Sequence, residues 1–68
     1  MENSNEYINY IDARKDLSAA QHDYLIHANV FSYMPTLANA AHLKKQEERL
    51  INANTALNLR IVEFNQAK

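Results

Sequence analysis

Glycine is absent from this chain of 68 residues, and so are cysteine and tryptophan. Average glycine usage of about 7% would place roughly five in this length. Without glycine, no residue adopts a left-handed backbone conformation freely, which disfavours tight strand hairpins and phosphate-binding loops. Without cysteine, the chain has neither disulfides nor thiolate metal ligands. The composition therefore predicts an all-α protein that is stabilised by side-chain packing alone.

Strong charge of one sign and long apolar runs are also absent. The net charge is −1, so no broad field attracts nucleic acid or an anionic membrane. No apolar run approaches the roughly 18 residues of a membrane span. The opening residues MENSNEYINY lack the basic and apolar segments of a signal peptide. We expect a cytoplasmic (or virion- or assembly-associated) protein without membrane contact.

Catalytic and metal-binding motifs are missing as well. His22 and His27 lie five residues apart, about 140° around a helix, and His42 lies in a different segment. We therefore expect that the three histidines do not converge on one helix face and form no metal site. His27 falls on an apolar stripe and is expected to be a hydrogen-bonded core residue, the alternative being a pH-sensitive contact. We predict no enzymatic activity, no cofactor and no small-molecule substrate.

An apolar stripe with alternating spacings of three and four predicts a long first helix. Large residues alternate with small or polar ones along it, and the alanines would let a second helix approach closely. Asn3 or Ser4 is expected to cap this helix. The stripe comprises Tyr10, Ala13, Leu17, Ala20, Tyr24, His27, Phe31 and Met34.

A second stripe predicts a second helix with a heptad repeat. Its main column has a spacing of seven and comprises Leu43, Leu50, Leu57 and Phe64. A companion column, three residues earlier, comprises Ala40, Glu47, Asn54 and Ile61. Asn54 is either a buried register-fixing residue or a half-solvated residue at the rim of the interface. The rim is favoured, because Glu47 in the same column must reach water.

Pro35 is the only proline and separates the two stripes. Proline is best tolerated at the first helical position, and it pushes the preceding Met34 out of the helical region. Helices over residues 5–33 and 35–66 would be nearly equal in length, which favours an antiparallel hairpin over one kinked helix. We predict a single helical-hairpin domain over residues 1–68.

The predicted turn, near residues 30–35, contains no glycine to end the first helix. Asn29 could end that helix early and leave residues 30–34 as a short apolar connection. Turns are normally polar, so an apolar tip indicates either a contact surface or a tip folded back over the hairpin's own end.

Further apolar residues lie opposite both stripes, and two helices can bury only one face each. We therefore expect the hairpin to be completed by dimerisation into a four-helix bundle or by docking on a partner. The predicted partner-binding residues are Ile26, Val30, Phe31, Tyr33, Met34, Leu37, Ile51 and Val62.

Three functional classes fit this description. The favoured one is a small adaptor, co-chaperone or inhibitor that binds a protein partner through exposed apolar helix faces. The second is a structural subunit of a repeated assembly such as a virion or secretion apparatus, and both classes allow a homo-oligomer. The third is a dimeric helical regulator that binds RNA or DNA. It is the least favoured, because Lys44, Lys45 and Arg49 lie beside two glutamates in a run expected to be solvated.

Overall fold

The computed structural model describes residues 5–67, which form two helices joined by a short turn. Helix α1 spans Asn5–Tyr33 and helix α2 spans Leu37–Ala67. The helices pack along their length as an antiparallel hairpin whose Cα atoms extend over 50 × 17 × 11 Å. The predicted helical hairpin is confirmed, and α1 has the predicted bounds. The expected caps Asn3 and Ser4 lie outside the described residues.

The turn is built without any left-handed residue. The N–H of Thr36 donates to the carbonyl of Met34 at 2.8 Å, which closes a three-residue turn around Pro35, whose fixed φ suits it. The Thr36 hydroxyl accepts from the N–H of Asn39 at 3.1 Å, and the Thr36 carbonyl accepts from the N–H of Ala40 at 2.9 Å. Thr36 is therefore the N-cap of α2.

One detail of the predicted turn is wrong, and one alternative for the end of the first helix is excluded. The second helix does not begin at Pro35, because the Thr36 hydroxyl provides a cap that proline lacks, and α2 begins at Leu37. The first helix does not end at Asn29 but continues to Tyr33. Met34 is the boundary, as predicted, and its carbonyl also accepts the side-chain amide of Asn39 at 2.8 Å. That hydrogen bond connects the first turn of α2 to the residue that follows α1.

The α1 side of the helix–helix interface follows the predicted stripe. Ala20 is 0% exposed and Ala13 is 8% exposed, and they are the buried residues of the core in the described chain. The larger stripe residues from Tyr10 to Phe31 are half-buried. Met34 is exposed because it lies beyond the helix. The two alanines let the helices approach closely, as the alternation of large and small residues predicts.

The α2 side confirms the main column and corrects its companion. The column from Leu43 to Phe64 is half-buried. Of the predicted companion column, Ala40 is half-buried, but Glu47, Asn54 and Ile61 are exposed. The column that accompanies the leucines lies four residues before each member and comprises the half-buried residues Asn39, Gln46, Ala53 and Arg60. Asn54 is exposed, so it does not fix the register from a buried position. Both columns fit a spacing of three or four, but only the observed one keeps the charged Glu47 in water and places a small residue, Ala53, in the interface.

Aromatic rings pack together at the open end of the hairpin. The rings of Tyr10 and Phe64 stack with centroids 5.7 Å apart and planes 7° apart. Tyr7 lies against the same Phe64 ring at 5.6 Å. The Arg14 guanidinium sits 5.7 Å from the centroid of Tyr10, within the range of a cation–π contact. This cluster connects the beginning of α1 to the end of α2 and keeps the two helices in register.

Replacing Ala20 by leucine should force the helices apart. Overpacking of a tight interface costs about 1–3 kcal/mol of unfolding free energy. Ala20→Leu should therefore lower the midpoint of denaturant unfolding, measured at one fixed protein concentration. Ala19→Leu is the matched control, because Ala19 is exposed and should tolerate the same enlargement. Equal effects of the two substitutions would contradict the close approach at Ala20.

Replacing Gln46 by leucine should stabilise the hairpin. The Gln46 side-chain oxygen is buried without a hydrogen-bond partner, and an unsatisfied buried acceptor costs about 1–3 kcal/mol. Gln46→Leu should raise the unfolding free energy measured by urea titration. The control, Gln21→Leu at an exposed position, should change it by less than about 0.5 kcal/mol. A loss of stability in Gln46→Leu would mean that the amide contributes to packing in the hairpin.

Candidate functional site

The turn end of the hairpin presents four exposed apolar side chains, which we name the turn cluster: Val30, Tyr33, Met34 and Leu37. Leu37 is 92% exposed and Tyr33 is 80% exposed. Tyr33 is the last residue of α1 and Leu37 is the first of α2. α1 ends and α2 begins here, and within residues 5–67 no third element covers these side chains. Such exposure of large apolar residues at a turn is typical of a contact surface.

Each helix also carries apolar residues on the side that faces away from the other helix. Leu25 and Ile26 lie between the interface residues Tyr24 and His27, and at 100° per residue they point away from α2. The outward residues of α1, which we name the α1 edge, are Ile8, Ala19, Leu25 and Ile26. Those of α2, the α2 edge, are Ile51, Leu59 and Val62.

The two edges face opposite directions. Because each edge is the side of its helix farthest from the shared interface, one hairpin has an apolar edge on its left and another on its right. The hairpin is 17 Å across and 11 Å thick, measured between Cα atoms. A flat partner that covers one edge therefore leaves the other in water. The arrangement suits a partner that wraps around the hairpin or neighbours on both sides.

One flank between the edges is polar and connects the helices. Arg49 forms an ion pair with Asp23 across the hairpin. The rings of His27 and His42 lie 6.3 Å apart, a contact between the two helices that the spacing of histidines within one helix does not predict. His27 Nδ1 lies 2.8 Å from the Asp23 carbonyl oxygen. A carbonyl only accepts, so Nδ1 donates. His27 is thus half-buried and hydrogen-bonded, as predicted.

The main effect of these polar contacts is to align the two helices, since they do not bring together the groups of a reactive site. An exposed ion pair such as Asp23–Arg49 contributes about 0.2–1 kcal/mol, but it forms only when the two helices are aligned at this level. Within residues 5–67, no three histidine, aspartate or glutamate side chains come together in a way that could hold a metal ion. A shallow depression near His22, Leu25 and Ser32 lies on α1 alone and is open to solvent.

The predicted partner-binding residues are all exposed apart from one. Phe31 is half-buried in the helix–helix interface, where its place on the stripe puts it. The others lie in the turn cluster or on the edges: Ile26, Val30, Tyr33, Met34, Leu37, Ile51 and Val62. Their role in binding stays a prediction. Leu25, at 66% exposure, was not predicted, because its row on the helix (Ile11, Ser18, Leu25, Ser32) is half polar.

No family model, curated protein or solved structure matches this chain. Over the described residues, neither helix has a stretch apolar and long enough to cross a bilayer. The candidate site therefore consists of the exposed apolar residues of the turn cluster and of the two edges. Within residues 5–67, the buried residues between the helices are Ala13 and Ala20.

Substitutions at Phe31 and Tyr33 should separate packing from surface display. Phe31→Ser removes a half-buried ring from the helix interface and should cost about 1–3 kcal/mol of unfolding free energy. Tyr33→Ser changes a residue that is 80% exposed and should change stability by less than about 0.5 kcal/mol. Thermal unfolding followed by circular dichroism would measure both. A large loss in Tyr33→Ser would show that the turn cluster packs against the hairpin itself.

Proposed function

We propose that this protein is a non-enzymatic protein-interaction module that binds a protein partner through the apolar residues its own fold leaves exposed. One observation carries the proposal: the described core buries two alanines and no larger side chain, while large aliphatic and aromatic residues lie in water. Fully burying a leucine- or isoleucine-sized side chain contributes about 1.5–3 kcal/mol. A partner that buries several of these side chains would gain this free energy as binding affinity, because the isolated hairpin leaves them exposed to water.

The turn cluster is the strongest anchor of this surface. Tyrosine is enriched at the energetic centres of interfaces, because it buries a large area and can form a hydrogen bond at its tip. Tyr33 lies beside the flexible thioether of Met34, a side chain that adapts to differently shaped partners. Leu37 adds a nearly fully exposed aliphatic side chain. The three residues flank Pro35, whose restricted backbone limits the entropy lost on binding.

The dimensions of the hairpin support binding over catalysis. A body 11 Å thick between Cα atoms cannot surround a small molecule, whereas enzyme sites enclose most of their ligand's surface. A long exposed helix surface suits an extended groove or a neighbouring helix on another protein. Binding of this kind would serve an adaptor, a co-chaperone or an inhibitor.

A second candidate function is a structural subunit of a repeated assembly. It is favoured by the opposite directions of the α1 and α2 edges, since a subunit with neighbours on two sides needs two contact surfaces. An adaptor with one partner needs only one contact surface. Both candidates require that the exposed apolar residues be covered by protein.

The proposal is tested by affinity capture from an extract of the organism that encodes the chain. The double substitution Tyr33→Ser and Leu37→Ser should reduce recovery of the specific partner by about tenfold or more, since each side chain contributes on the order of 1 kcal/mol or more when buried. Gln21→Ser with Asn54→Ser is the matched control at exposed polar positions. Circular dichroism should show the same helicity in both variants.

Two results would contradict the proposal. The first is that no protein, including the chain itself, is enriched over a scrambled-sequence bait. The second is that partners are recovered equally with the wild-type chain and the turn-cluster variant, which would place binding elsewhere on the hairpin.

A further inference from the structure

One contact between the helices brings together two side chains that bind metals. His27 lies on α1 and His42 on α2, and their rings lie 6.3 Å apart with planes inclined by 51°. His27 is half-buried and His42 is exposed, so the pair is open to solvent at His42. Histidine is the commonest metal ligand in proteins. The expectation of no metal site rested on the faces of single helices, and this pair lies across two.

The hydrogen bonding of His27 leaves one ring nitrogen available for an ion. Its Nδ1 lies 2.8 Å from the Asp23 carbonyl oxygen and donates to it, so in the neutral ring the lone pair is on Nε2. Histidines that bind metals usually donate their other ring nitrogen to a carbonyl or a carboxylate, which fixes the tautomer and the orientation of the ring. His27 therefore already has the outer contact of a metal ligand.

We propose that His27 and His42 together bind a divalent transition-metal ion that prefers imidazole ligands, such as Zn²⁺, and that this ion links α1 to α2. The inference goes beyond the proposed function and does not depend on it. Within residues 5–67 no third histidine or acidic side chain completes the pair, so water fills the other positions. Because zinc sites usually have three or four protein ligands, we expect an exchangeable ion at this one.

The distance between the rings suits a shared ion. Two imidazoles that bind one ion at about 2.0–2.1 Å in tetrahedral geometry have ring centroids roughly 5 Å apart. The observed distance of 6.3 Å is longer by about 1 Å, which small rotations of the rings remove, since the χ2 angle of histidine is broad. His42 is exposed and can rotate without displacing its neighbours. The ion therefore requires no movement of the backbone.

The charges around the pair do not exclude a cation. The Asp23 carboxylate and the Arg49 guanidinium form an ion pair on the same flank, and their charges cancel. Lys45 lies about one turn beyond His42 on α2 and is exposed, so its long side chain can place the ammonium in water away from the rings. The whole chain has a net charge of −1. No concentrated positive field therefore opposes the ion.

An ion bound to both histidines would favour the folded hairpin. In the unfolded chain the two residues are separated by residues 28–41, and binding both requires closure of that loop. In the hairpin the end of α1, the turn and the start of α2 have already closed it. The ion therefore binds the folded state more tightly. At 100 times its dissociation constant, it would raise the ratio of folded to unfolded chain by up to about 100-fold.

A titration of the wild-type chain with zinc chloride, followed by nuclear magnetic resonance of the histidine rings, tests which residues bind. The ring ¹⁵N signals of His27 and His42 should shift together and saturate at one ion per chain. His22, which is exposed on α1, is the internal control and should not shift over that range. Shifts of His42 alone, or of all three histidines together, would overturn the proposal.

Urea unfolding tests the link between the helices. Zinc chloride should raise the unfolding midpoint of the wild-type chain and of His22→Gln by the same amount, whereas magnesium chloride should not, since Mg²⁺ prefers oxygen ligands. His42→Gln, a substitution at an exposed position, should weaken zinc binding at least about tenfold, the loss that removing even an outer contact causes. His27→Gln should do the same. An equal rise in His42→Gln and the wild-type chain would contradict the proposal.

Sedimentation distinguishes an ion within one hairpin from an ion between two chains. At equal protein concentration, the chain should have the same mass with and without zinc chloride. A doubling of the mass on addition of Zn²⁺, reversed by a chelator, would place the ion between chains and overturn the link between α1 and α2 of one hairpin.

Discussion

The close approach of the two helices at Ala13 and Ala20 is the contact on which the rest of the structure depends. Small residues at these positions let the backbones pack tightly, but they also leave little volume between the helices for larger side chains. The leucines, tyrosines and phenylalanines of both stripes are half-buried as a result. The hairpin is thus well aligned but weakly enclosed, and its remaining apolar residues have no interior to enter.

The glycine-free turn has a related consequence. A glycine cap would let the chain reverse through a left-handed residue, but here Thr36, Pro35 and the Asn39 amide achieve the reversal with ordinary backbone conformations. Their polar groups are used on the backbone, so the side chains left at the tip are Tyr33, Met34 and Leu37. The reversal thus brings three exposed apolar side chains close together at the tip of the hairpin.

Local patterns in the sequence predicted what depends on one helix at a time. The bounds of α1, its stripe and the leucine column of α2 follow from periodicity and the position of Pro35, and they are confirmed except for Met34, which lies beyond α1 and is exposed. The companion column was misplaced by one residue, because a spacing of three and a spacing of four fit a heptad equally well until the facing helix is known. The Asp23–Arg49 and His27–His42 contacts depend on the register between helices, which no pattern within either helix encodes.

Under the proposed function, the exposed apolar residues on two opposite edges would connect the stability of the hairpin to the binding of a protein partner. A ligand that binds only the folded hairpin stabilises it in proportion to the logarithm of its concentration relative to the dissociation constant. A 68-residue chain with so small a core has little stability of its own, so any protein that covers Ile26, Ile51 or Leu37 would also favour folding. For such a molecule, folding and binding share the same free energy. Under the proposed function, the outward-facing isoleucines and leucines would contribute to the stability of the hairpin once a partner covers them.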